Sequence, residues 1–97
     1  MTRLDRIKQV LTKEKPLLRE RYGLEELGIF GSYLHGRQRK KSDLDLLVQF
    51  SGSVSLLEFI HLENYLSDLL GVKVDLVMKD ALKPRIGKRI LDEVEPV

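Results

Sequence analysis

The chain has 97 residues, which fit one domain spanning 1–97 with its own core and leave no room for a second substrate-recognition module. Hydrophobic residues make up 42% and charged residues 33%, a globular balance; the absence of cysteine excludes disulfides and thiolate metal sites, and no apolar run is long enough to span a bilayer. The mixed-charge start Met1 to Arg6 leads into no apolar signal core, so a cytoplasmic location is expected, and a net charge of +2 gives little support for nucleic acid as a direct substrate.

Leu4, Ile7, Leu11 and Leu18, with Val10 and Leu17 beside them, recur at helical spacing and predict a helix over residues 2–22 with one inward stripe. Pro16 predicts a break or kink near Lys15, and Gly23 suits a C-cap. Leu24 to Phe30 reads as a strand. Gly31-Ser32 follows, with Ser32 suited to cap a short helical turn before the polar loop His35 to Ser42. A second strand begins at Asp43; alternation along it puts Leu44, Leu46, Val48 and Phe50 on one face and leaves Asp43 and Asp45 together on the other. Ser55 to Glu58 has capping-box spacing and opens a helix to about Leu70, closed by Gly71. Val72, Val74, Leu76 and Met78 alternate with Lys73, Asp75 and Val77 in a third strand, and Pro84 starts a last helix through Ile86, Ile90 and Leu91.

The expected architecture is an α/β (α+β) domain, a small mixed three-stranded sheet flanked by helices. A short link joins strands one and two as an antiparallel pair, and a helix joins strands two and three as a right-handed parallel crossover. That topology gathers Gly31, Ser32, Asp43, Asp45 and Asp75 at one edge. Three carboxylates there would repel, each pair by about 4 kcal/mol at 4 Å and an effective dielectric of about 20. A cation must offset this. Mg²⁺ prefers hard carboxylate oxygens and shares its coordination with substrate phosphates. Gly31-Ser32 offers close backbone approach, N–H donors and a hydroxyl to a triphosphate tail. Two Mg²⁺ ions bridged by Asp43 and Asp45 would activate an attacking oxygen and stabilise leaving pyrophosphate.

Gly31-Ser32, ten intervening residues, Asp43-Leu44-Asp45 and a third aspartate in Lys73-Val74-Asp75-Leu76-Val77 resemble the signature of the polymerase β-type nucleotidyltransferase superfamily. The stretches Gly31 to Gly36, Ser42 to Val48 and Leu82 to Leu91, with the small size, resemble the minimal nucleotidyltransferase (MNT) family. The resemblance implies a polymerase β-like fold and the antitoxin of a HEPN/MNT toxin–antitoxin pair, transferring AMP from ATP to a tyrosine of the HEPN ribonuclease toxin. In that reading Asp43, Asp45 and Asp75 are catalytic and bind metal, Asp75 on the nucleophile side, while Gly31 and Ser32 hold the nucleotide's phosphates. Two departures from the family stand out: His35 occupies a position that is often arginine, and the loop Arg37 to Lys41 is unusually basic.

Blander readings stand beside these. Ser32 serves equally as an N-cap, His35 suits a structural or phosphate-contact role, and Tyr33 and Tyr65 suit packing. The basic helix with Lys83, Arg85, Lys88 and Arg89 most simply faces solvent. The rival functions are a non-catalytic antitoxin that neutralises by binding and a nucleotidyltransferase acting on a small molecule.

Overall fold

A computed structural model describes residues 2–36 and 43–97, so the basic loop Arg37 to Lys41 and Ser42 lie outside the described residues. Helix α1 spans Arg3–Tyr22 and begins at a reciprocal capping box: the Thr2 hydroxyl accepts from the Asp5 amide at 3.1 Å, and the Thr2 amide donates to Asp5 Oδ2 at 3.2 Å. It ends at Gly23, which takes a left-handed φ of 72°. Of the break or kink expected near Lys15, the break does not occur: α1 is one continuous helix through Pro16. The proline lies on the solvent-exposed side, so the carbonyl that loses its amide partner faces water. Burial of Ile7, Leu11 and Leu18 on the opposite side holds the helix together.

Strand β1 (Leu24–Phe30) pairs antiparallel with β2 (Leu44–Phe50), and β2 pairs parallel with β3 (Val74–Met78) through helix α2 (Leu56–Leu70). Ser55 caps α2 by accepting from the Glu58 amide at 3.1 Å, and Gly71 closes it at a φ of 70°. A 3-10 turn at Lys79–Ala81 leads to α3 (Pro84–Glu93), with Pro84 in its first turn. The sheet has four strands rather than the expected three. Glu95–Pro96 forms β4, pairing antiparallel with β1 in the order β3-β2-β1-β4. Two residues carry no readable periodicity, and Pro96 is tolerated because this strand is an edge. Lys8 fixes it from α1 through a 2.7 Å ion pair with Glu95, and Lys15 donates to the Val97 carbonyl at 2.7 Å.

The alternation in β2 is as expected. Leu44, Leu46 and Val48 pack into one core with Ile29, Leu27, Val74, Leu76 and the inward stripes of α1 and α2. The other edge strand, β3, would leave amides unpaired. Ser67 Oγ accepts from the Val74 amide and Glu63 Oε2 from the Leu76 amide, both at 2.9 Å, so α2 occupies that edge and fixes the backbone on either side of Asp75.

Candidate active site

The strand register decides which carboxylates meet. Phe30 lies opposite Asp45 across the antiparallel pair, and Asp45 lies opposite Asp75 across the parallel pair. Directly paired residues share a face, so Asp45 and Asp75 both project from the side away from α1 and α2. Asp43 immediately precedes β2 and reaches the same edge. The structure thus gathers all three expected carboxylates, with Asp45 between the other two.

Asp45 is half-buried. Burial, then the charge of Asp75, then that of Asp43 push its carboxyl from an ordinary 3.8 up to about 6. No compensating cation touches it: among the described residues, neither Asp45 nor Asp75 forms an ion pair. Lys73 Nζ stands 3.8 Å from Asp43 Oδ2, but the lysine side chain is 79% exposed and the contact is screened by water.

Gly31 opens the turn out of β1 at a φ of +82°, and a Cβ there would overlap Asp45 Oδ2. Glycine is therefore required twice, by the left-handed backbone and by the carboxylate seated against it. Ser32 to Gly36 form the short turn expected there, with a helix-type bond from the His35 amide to the Gly31 carbonyl. Its bonds are long, with the His35 amide 3.4 Å from the Gly31 carbonyl and the Gly36 amide 3.5 Å from that of Tyr33. Tyr33 is buried in the core, with the Arg3 guanidinium 5.7 Å from its ring centre, so it packs and does not face a nucleotide. Tyr65 donates to Glu14 at 3.0 Å, and the exposed His61 sits 2.9 Å from the Tyr22 hydroxyl, both away from the carboxylates.

Beside the turn lies a cleft of about 630 Å³ lined by Phe30, Gly31, Ser32, His35, Arg89, Ile90 and Glu93. His35 Nε2 and Glu93 Oε2 meet across it at 3.0 Å. Lys83, Arg85, Lys88 and Arg89 of the basic C-terminal helix are exposed, as expected, and Arg89, with Ile90 and Glu93, also forms one wall of this cleft. That wall's one sequence signal is the spacing of Arg89 and Glu93, four residues apart and therefore on one helix face.

Asp43, Asp45 and Asp75 offer hard carboxylate oxygens of the kind Mg²⁺ prefers, none of them fully buried. Among the described residues no three Asp, Glu or His side chains converge as a ready-made cation cage.

A nucleotidyltransferase domain model matches residues 11–97. The chain belongs to the nucleotidyltransferase family. It is 52% identical to the protein adenylyltransferase MntA of Thermococcus cleftensis, over 97% of this chain and 95% of that one. A candidate minimal nucleotidyltransferase of solved structure superposes with a TM-score of 0.76 at 35% identity, covering 94% of this chain and 95% of its own. A complex of the tri-AMPylated Shewanella oneidensis HEPN toxin with an MNT antitoxin matches with a TM-score of 0.68 at 19% identity, covering 98% of this chain and 71% of that one. At that identity the likeness is one of fold. The four-stranded mixed sheet flanked by three helices is therefore the fold of the minimal nucleotidyltransferases. Among the described residues no helix is long and apolar enough to cross a membrane.

Proposed function

We propose that this nucleotidyltransferase acts as one domain over residues 1–97, in the cytoplasm, as the antitoxin of a HEPN/MNT pair. Its reaction is the Mg²⁺-dependent transfer of AMP from ATP to a tyrosine of the HEPN toxin. The observation that carries the reaction is Asp45, whose carboxyl is held near 6 by burial and by Asp75 and Asp43, in contact range of the Gly31 backbone. Natural folds rarely keep such repulsion without a cation to relieve it. The likeness to an adenylyltransferase supports AMP as the transferred group, and the likeness in fold to a HEPN-bound antitoxin supports the partner.

Asp43, Asp45 and Asp75 would hold the metal. Mg²⁺ bound there supplies positive charge to the α-phosphate and the leaving pyrophosphate. Gly31, through its backbone, and Ser32, through its hydroxyl, hold the phosphates. Asp43 and Asp45, just before and just inside the start of β2, face the nucleotide. Asp75, from the next strand, faces the acceptor and helps take up the proton of the tyrosine hydroxyl. The acceptor oxygen then bonds to the α-phosphorus as the bond to pyrophosphate breaks.

The test is to incubate the protein with ATP, Mg²⁺ and the HEPN protein encoded beside it, weigh the intact partner by mass spectrometry and assay its ribonuclease activity. Increments of AMP mass on a tyrosine with loss of ribonuclease activity are expected. Neutralisation without added mass would replace this reading with a purely steric antitoxin, and AMP appearing on a small molecule alone would replace the acceptor.

A further inference from the structure

We infer that Arg89 on α3 is a phosphate-binding residue that holds the triphosphate tail of ATP; this rests on the reading that Gly31 and Ser32 form the nucleotide site. Arg89 lines the same cleft as those two residues, although it comes from the far end of the sequence. Its neighbour one turn along the helix, Glu93, reaches across to His35 at 3.0 Å, which fixes the face of α3 that the cleft sees. A residue four positions earlier lies on that face, about 6 Å back along the axis. The cleft wall between them is apolar, formed by Phe30 and Ile90.

The local charges select Arg89 for this role. ATP brings several negative charges to an edge that already carries Asp43, Asp45 and Asp75. Among the described residues near that edge, Lys73 faces solvent beside Asp43, and the ring of His35 is engaged by Glu93. Arg89 forms no ion pair among the described residues. Its planar guanidinium keeps its charge at any working pH and matches two phosphate oxygens at once. Even two Mg²⁺ ions leave a negative excess against three carboxylates and a triphosphate, and a fixed cation lining the cleft would offset part of it.

The experiment measures Mg·ATP and AMP binding by calorimetry on wild type, Arg89→Ala, Arg89→Lys and Arg85→Ala. Arg85 is an exposed residue one turn earlier that does not line the cleft. Arg89→Ala is expected to weaken Mg·ATP binding by about tenfold or more while AMP binding changes by less than about twofold. Arg89→Lys should fall between, and Arg85→Ala should match wild type. Because Arg89 is exposed, thermal melts of the variants should coincide with wild type. Equal losses for ATP and AMP, equal losses for Arg85→Ala and Arg89→Ala, or undiminished ATP binding by Arg89→Ala would each overturn the assignment. If wild type itself binds no ATP in Mg²⁺, the nucleotide site falls, and this inference with it.

Discussion

The two faces of one sheet carry opposite kinds of energy. Toward α1 and α2, β2 presents Leu44, Leu46 and Val48, all buried, in register with Ile29, Leu27, Val74 and Leu76. Toward α3, the same strand presents Asp45, opposite Phe30 on one side and Asp75 on the other. The first face stabilises the fold by removing apolar surface from water. The second also buries Phe30 and Leu47, but it seats Asp45 where burial first, and then the charges of Asp75 and Asp43, push its carboxyl up to about 6, at a cost in stability. A period of two lets a seven-residue strand do both, because each residue's face is set by its parity and not by its neighbours.

Substitutions on the two faces should therefore fail in different ways. Asp75→Asn should keep much of the Mg·ATP affinity and the fold, while transfer falls on the order of a thousandfold in a single-turnover assay. Ser32→Ala should lose less than Asp43→Asn, since backbone donors remain around the phosphates. A larger loss for the serine variant, in protein that still melts cooperatively, would reverse these roles. Leu46→Ala should show the converse pattern: about 2–5 kcal/mol of stability lost in denaturant titrations, with transfer per folded molecule little changed. A smaller effect is expected at the β3 edge. Ser67→Ala removes the acceptor for the Val74 amide and should cost about 1 kcal/mol, with faster hydrogen exchange at that amide. Unchanged exchange would mean that α2 does not hold the strand bearing Asp75.

The helices and the three main strands were legible in the sequence because each rests on a local pattern. Alternation in Leu44 to Phe50 assigns faces without tertiary information, and Ser55, Gly23 and Gly71 mark helix ends by their own chemistry. The misreadings are places where tertiary contacts decide. Pro16 predicts a break by local rules, but the buried stripe of Ile7, Leu11 and Leu18 overrides it. Strand β4 is too short for periodicity and is defined by what it pairs with. Arg89 and Glu93 look like any solvated helix face until the Gly31 turn is placed beside them. The convergence of Asp43 and Asp45 followed from spacing alone, whereas the direct pairing of Asp75 with Asp45 needed the parallel register.

Asp45 links the two faces, and its titration gives the most direct test. Its folded pKa, about 6, lies above the ordinary 3.8, so the native state binds the extra proton between those values. Its contribution to stability is present below about pH 4 and is lost as pH rises through about 6. Allowing for its partial exposure, the penalty at neutral pH is on the order of 1–2 kcal/mol. The decisive measurement is the folding stability of wild type and Asp45→Asn at pH 7.5, in chelator and in saturating Mg·ATP, with the chelator series repeated near pH 4. At pH 7.5 in chelator the asparagine variant should be more stable than wild type, with the difference closing near pH 4. Mg·ATP at about a hundred times its Kd should raise wild type by about 2.7 kcal/mol and the variant far less. A variant that is less stable in chelator, or that gains as much from Mg·ATP as wild type, would contradict the claim that Asp45 is held at a cost in stability in order to bind the metal and its nucleotide.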